Sequence, residues 1–303
     1  MGRKENPYVI IIVLNYNNYD DTEKCILSLQ NLTYPKFSII IVDNASSDGS
    51  VEIITNNFPE IPLLRNTING GYAAGNNIGI KYALEHNADY ILIINNDATV
   101  EPDFLDHLVH YAEQFPNIGV LNARVFFPGT TEIFSAAGRF NKLLCTGQNK
   151  GAIRIKKHKT ETIEKVDYAC GVLMLVQAKV FIDVGLLDEE YFMYFEDLEF
   201  SRRVLKKYEI AYIPQSIAYH KSGGGKGWRN YTDLYLYYHT RNRFLVFGNS
   251  SKLYKVYVTI FTTLNSIAKS ALIFQNIFKN RRKTSSQLKS LWKGWRDGLL
   301  TYI

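Results

Sequence analysis

Four times before Gln114 the chain runs through a short apolar stretch, breaks into Asn, Asp, Gly or Ser, and then takes up helical periodicity. The apolar stretches begin at Val9, at "FSIIIVDN", at "PLLRN" and at "YILIIN". The helices expected after them are "TEKCILSLQNL", opened by Asp20 and Asp21 and ended at Tyr34-Pro35, then Ser50–Phe58, Ala73–His86 and Pro102–Gln114. A strand wetted on one face alternates apolar and polar residues, whereas an uninterrupted run is covered on both. Strands of that kind separated by helices predict an α/β fold, a mostly parallel sheet with helices on both faces.

In such sheets ligands bind beyond the carboxyl ends of the strands. The four polar breaks, "NYNN", "DNASSDGS", "NTINGGYAAGNN" and "NNDAT", would therefore line one crevice. Each is also ordinary turn chemistry; all four at one sheet edge point to a site. Beyond Ile118–Phe127, a strand, the Lys-rich segment Pro128 to Lys165 reads as a loop or small hairpin. A strand, a helix, an aromatic segment, a helix from about Glu196 and two short strands flanking Pro214 follow. Gly223, Gly224, Gly225 and Gly227 read as a flexible loop, and the pattern is helical from about Trp228.

The glycines exclude two nucleotide-binding classes. None stands in the turn after the first strand, and Gly71, Gly75 and Gly79 fall four apart, so neither the G-x-G-x-x-G dinucleotide turn nor a P-loop is present. A nucleotidylyltransferase would need a glycine-rich turn at the same place. The crevice does offer Asp43 after the second strand, Asp97 after the fourth and glycines after the third. That set suits a nucleoside diphosphate: Asp43 accepting a pyrimidine N–H, Tyr16 stacking on the ring, and Asp97 holding a hard divalent cation across the phosphates.

Charge is unevenly placed. The chain totals +6, but residues 251–303 carry ten Lys/Arg against Asp297, leaving the first 250 residues at −3. A basic tail on a mildly acidic body points to one anionic partner surface. Val256–Phe278 is amphipathic, with Tyr257, Ile260, Leu264, Ile267 and Phe274 on one face and Thr259, Thr262, Ser266 and Lys269 on the other. With "KNRRK", Trp292 and Trp295 this is the makeup of a membrane-surface contact; a helical hairpin packed on the protein or on a second subunit is the alternative. No recognised nucleic-acid motif accompanies the charge, so nucleic acid is not expected as a partner. Three cysteines in apolar surroundings and an N-terminal apolar run too short for a signal peptide predict a cytoplasmic setting.

Taken in order, "VDNASSDGS", "NGGYAAGNNIG", "INNDATVEPDFL" and "YFMYFEDLEFSRR" resemble the family 2 glycosyltransferases of GT-A fold, in their rhamnosyltransferase-like branch, over about residues 8 to 245. The resemblance implies a GT-A catalytic domain at 1–225, with a nucleotide-sugar half at about 1–127 and an acceptor half at about 166–225, plus a helical extension at 226–303. It implies inverting transfer with Asp197 as the base and Glu196 and Glu199 as supporting or acceptor-orienting groups. Leu14, Asn15, Tyr16, Asp43, Asn69, Gly71, Asn76, Asn77, Asn96, Arg241 and Asn242 would bind the nucleotide sugar. Asn95, Asp97 and His220 would hold Mg²⁺ or Mn²⁺. One departure stands out: Asn95 replaces the first Asp of the metal-binding D-x-D, leaving Asp97 as its sole carboxylate.

The first expectation for the donor is dTDP-rhamnose, with a UDP-sugar as the alternative. The acceptor would be a glycan or lipid-linked saccharide of cell-surface polysaccharide synthesis, met by a peripheral enzyme on the cytoplasmic face of the membrane. A glycoside hydrolase and a sugar-nucleotide-binding protein without transferase activity are the competing readings.

Overall fold

A computed structural model describes residues 6–149, 162–221, 231–275, 277–278 and 280–301. The glycine loop expected at Gly223–Gly227 lies outside the described residues, as does Lys279 of "KNRRK". The chain divides into two compact units. The first lies within Met1–Phe140, Gly147–Glu190 and Glu196–Lys221; the second within Asn141–Thr146, Tyr191–Phe195 and Ser222–Ile303.

The first unit begins with the anticipated alternation: β1 (Val9–Asn15), α1 (Tyr19–Gln30), β2 (Phe37–Asp43), α2 (Ser50–Asn57), β3 (Leu63–Arg65), α3 (Gly71–Glu85) and β4 (Tyr90–Asn95). It continues with β5 (Ala98–Val100), α4 (Phe104–Gln114), β6 (Ile118–Phe126), β7 (Ile133–Ser135), β8 (Gly138–Asn141), β9 (Thr146–Asn149), β10 (Glu164–Val166), β11 (Leu173–Gln177), α5 (Ala178–Val184), α6 (Glu196–Val204) and β12 (Glu209–His220). The main sheet is ordered β10-β12-β6-β11-β4-β1-β2-β3, with β5 on β12 and β7 on β6, while β8 and β9 form a small hairpin sheet.

The strands β3, β2, β1 and β4 are parallel neighbours. The chain winds outward from β1 to β3 and then returns to place β4 on the other side of β1. In sheets of this kind ligands bind at such a reversal of winding, which falls here at the carboxyl ends of β1 and β4. Alternate residues of these strands enter opposite cores: Ile11, Val13, Leu92 and Ile94 pack with α1 and α4, and Ile10, Ile12, Ile91 and Ile93 with α3, α5 and α6. The four-residue glycine spacing serves this packing. A Cβ on Gly75 or Gly79 would stand 2.6 Å from Leu14 or Ile12 of β1, so α3 lies closer to the sheet than side chains there would permit.

Within this mostly parallel sheet β11 runs antiparallel between β4 and β6; its run "LMLVQ" is wholly buried, and burial on both faces carries no information about direction. One expectation needs correction. The two strands expected around Pro214 are one, β12, whose register against β6 slips between Ile213 and Ile217. Pro214 has no N–H for the ladder, and the irregularity absorbs the missing bond.

In the second unit the helices are α7 (Asp233–Val246), α8 (Lys252–Phe274) and α9 (Arg281–Leu300). Leu236, Ile273 and Leu291 form the apolar centre joining them. Gly294 lets α9 approach α7 closely, since a Cβ there would stand 2.3 Å from the Tyr237 carbonyl oxygen.

Candidate active site

Asp43 ends β2 directly beside Asn15 at the end of β1. Its carboxylate accepts from the Asn15 amide at 2.8 Å and the Ser46 backbone N–H at 2.9 Å. Each oxygen keeps a lone pair for a ligand N–H. Asn15 itself is fully buried and fully employed, donating also to Ser46 Oγ and accepting from Thr22 Oγ1. Its side chain is held by protein partners and aims Asp43. The preceding Leu14 packs against Gly75. Tyr16, the next residue, is 46% exposed.

The third strand's loop is organised by Asn44, which the sequence reading passed over. Its amide donates to Asn69 Oδ1 and the Gly71 carbonyl, and accepts from Asn66 and the Gly70 N–H. Asn69 Oδ1 also accepts the Gly71 N–H at 2.9 Å. Gly71 has φ +79°, a left-handed conformation that glycine adopts without strain. Asn76 is buried, donates to the Tyr72 carbonyl and leaves Oδ1 without a protein partner. Asn77 is held by protein partners. Its buried amide is consumed by the Leu187 backbone and Glu189, so it ties α3 to the segment beyond α5.

At the end of β4, Asp97 Oδ1 lies 2.9 Å from His220 Nε2, and the Asn95 amide approaches the same nitrogen at 3.5 Å. The pair is set by β5 lying antiparallel on β12, with His220 opposite Ala98. Their 2.9 Å separation is a hydrogen-bond contact, and a carboxylate oxygen and an imidazole nitrogen are donor types that a divalent cation accepts. Among the described residues no third His, Cys, Asp or Glu joins them. Asn96 turns away, donating to Thr22 Oγ1 and the Asn18 carbonyl at the start of α1.

Gly171, just before β11, joins these parts. Its N–H donates to Asp197 Oδ2 at 2.9 Å and its carbonyl accepts from Tyr72 of α3. The carbonyl of the adjacent Val172 accepts the Asn95 N–H at 2.9 Å. One dipeptide thus ties the end of β4, the first turn of α3 and the start of α6 into a single rim.

Asp197 sits in the first turn of α6, where the helix dipole favours negative charge. Its Oδ2 accepts from Tyr168 Oη at 2.6 Å and from Gly171, while among the described residues Oδ1 accepts only the Leu198 N–H at 2.8 Å. Burial pushes the Asp197 carboxyl up, and these donors hold it back. Glu196 is buried with no partner for Oε2, and burial together with the Asp197 charge pushes it well above the usual carboxylate range. The donors around Asp197 favour its ionised form, whereas burial and the neighbouring charge favour the protonated form of Glu196. Glu199 has a different occupation. Both its oxygens hold Arg203, whose guanidinium caps the Val184, Gly185 and Leu186 carbonyls, so it braces the fold.

A sheet ordered this way, with its polar rim, matches a known family. The family model for glycosyl transferase family 2 matches residues 10–185, more than half the chain. The chain belongs to glycosyltransferase family 2. Its relatives include the low-salt glycan biosynthesis hexosyltransferase Agl10 of Haloferax volcanii, 24% identical over 273 residues, covering 89% of this chain and 85% of that protein. The N-acetylglucosaminyl-diphospho-decaprenol L-rhamnosyltransferase of Mycobacterium tuberculosis is 25% identical over 233 residues, covering 70% and 76%. The solved structure of GalNAc-T7 with UDP, GalNAc and Mn²⁺ superposes with a TM-score of 0.65 at 16% identity, covering 83% of this chain; the chain spans about half of that protein, 49%. The glycosyltransferase therefore has the expected GT-A fold.

Arg241 and Asn242 lie in the second unit, on α7. Asn242 is buried, donates to the Met193 and Tyr194 carbonyls at 2.8 Å each, and accepts from Arg241. Tyr194 and Phe195 have φ +69° and +73°, a costly conformation for aromatic residues. Asn242 therefore clamps a strained turn, a role not expected for it. Arg243 is buried between the Phe195 and Phe261 rings, whereas Arg241 is partly open.

Proposed function

We propose that this glycosyltransferase inverts configuration while moving a hexosyl group, rhamnose in the first instance, from a nucleoside diphosphate donor to a glycan or lipid-linked saccharide. The rhamnosyltransferase likeness over 70% of the chain supports the sugar; dTDP is the favoured nucleotide and UDP the alternative. Asp43 accepts the base N–H and Tyr16 stacks on the ring. Asp97, His220 and Asn95 would hold Mg²⁺ or Mn²⁺, which when bound neutralises charge developing on the departing diphosphate. On its motif alone, Arg241 is assigned to the same diphosphate.

The observation that carries the reading is the Gly171-Val172 rim, which couples Asp197 to the carboxyl end of β4. The free lone pair of Asp197 Oδ1 takes the acceptor hydroxyl proton as the acceptor oxygen bonds to the anomeric carbon. The bond from that carbon to the diphosphate oxygen breaks, and the electron pair leaves with the nucleoside diphosphate. Attack from the side opposite the leaving group inverts the anomeric centre.

The enzyme is placed at the cytoplasmic face of a membrane, where a lipid-linked acceptor is presented. Calorimetric titration with dTDP-, UDP- and GDP-sugars, with and without Mn²⁺, tests the donor reading. Saturable binding of one nucleotide, strengthened by the metal, is expected; no binding of any would refute it.

A further inference from the structure

The helix α8 is turned inside out. Thr262 and Ser266 are 0% and 1% exposed and Lys269 only 8%, while Leu253 is 86% and Leu264 61% exposed. By the 100° step of a helix, Val258, Thr262, Ser266, Lys269 and Ile273 form one side, and Leu253, Val256, Ile260, Leu264, Ile267 and Phe274 the other. The inward side is tied down by polar contacts. Trp292 and Trp295 of α9 donate to Ser270 Oγ and Thr263 Oγ1, and Lys269 Nζ stands 5.4 and 5.3 Å from the Tyr231 and Tyr235 ring centroids. A water-facing helix would bury Leu264 and expose Lys269; the reverse arrangement matches apolar surroundings outside.

We infer that α8 lies flat in the interfacial layer of an anionic bilayer, with its apolar side among the acyl chains and neighbouring cations on the phosphate groups. The 23-residue helix is about 34 Å long, so the stripe is a continuous contact and not a local patch. Lys252 stands exposed at its start, and Arg281, Arg282, Lys283 and Lys289 are exposed on α9. This charge selects the occupant. A second copy meeting α8 on α8 would bring like charges together, whereas anionic headgroups neutralise them. An in-plane pose follows from α9, which is packed along α8 through the two tryptophans and would carry its Lys and Arg side chains into hydrocarbon if α8 spanned the bilayer.

The inference rests on the reading of a transferase that meets its acceptor at a membrane, and its test is independent of the donor site. The full chain is sedimented with phosphatidylcholine vesicles, with and without phosphatidylglycerol. Binding to the anionic vesicles, weakened by salt and reversed by alkaline carbonate, is expected. Ile260→Glu with Leu264→Glu should lower partitioning roughly tenfold or more, with the melting temperature and nucleotide binding unchanged. Arg281→Glu with Arg282→Glu should remove the preference for anionic lipid. Vesicle binding that survives the double Glu variant overturns the inference, as does resistance to carbonate, which would mean a spanning helix. A dimer that this variant dissolves, in a protein that ignores vesicles, overturns it in favour of a second copy. Loss of nucleotide binding in wild type would count against the donor reading alone.

Discussion

Tyr168 is the buried group on which the chemistry of Asp197 leans most directly. Replacing it with Phe keeps the ring, which packs against Gly138 and Gly147, and removes only the hydroxyl that donates to Asp197 Oδ2 at 2.6 Å. A hydrogen bond to a charged acceptor contributes about 1.5–3 kcal/mol. Tyr168 is buried and Asp197 half-buried, so water replaces the lost donor only in part. The loss falls on the ionised form, and at 1.36 kcal/mol per pH unit it raises the Asp197 pKa by roughly 1–2 units. A base works only when ionised, so the acid limb of the kcat/KM profile should move to higher pH by that amount. Turnover well above the limb should fall far less. The assay is nucleotide release against pH with a working acceptor, wild type beside Tyr168→Phe. An unmoved acid limb would refute the reasoning, because it would mean that Asp197 is not the titrating base.

Asp43→Ala should weaken binding of the nucleoside diphosphate alone, without its sugar, by about tenfold or more, the effect of one lost hydrogen bond to a charged group; isothermal titration reads it. Lys269 is held by burial and by Arg243 at a pKa of about 7, below its unfolded value near 10.4. Its folded pKa is depressed, so the unfolded chain binds more protons between those values, and stability rises as pH climbs from about 7 towards 10. Lys269→Met should accordingly raise the melting temperature at neutral pH, by an effect on the order of 4 kcal/mol at most, and change it little near pH 10.

The parallel β3-β2-β1-β4 block was legible because continuous apolar runs and helical periodicity are local signals. So was the placing of the polar breaks, each of which follows a strand. What the sequence withheld was the use of each side chain. Asn15, Asn77 and Asn242 look like crevice ligands, yet Asn braces backbone as readily as it binds ligand, and all three are buried and spent on protein partners. Tyr168 and Gly171 reach Asp197 across 29 and 26 residues from a segment without periodic pattern. Asn44 stands inside a motif rich in turn residues, where its four hydrogen bonds leave no mark. For α8 the periodicity drew both faces correctly. Which face turned inward depended on Tyr231, Tyr235 and the α9 tryptophans, none of them within its own turns.

The division of labour between two carboxylates is the central claim, and one paired measurement tests it: donor affinity by calorimetry and turnover by nucleotide release, for Asp197→Asn and Asp97→Asn side by side. Asp197→Asn keeps its shape and hydrogen bonding but cannot take a proton, so turnover should fall by roughly 10²–10⁴-fold while donor affinity stays near that of wild type. Asp97→Asn should lose the metal-dependent part of donor affinity, because His220 is left without its carboxylate partner at 2.9 Å. Near-native turnover in Asp197→Asn, or a loss of donor affinity matching that of Asp97→Asn, would contradict the account.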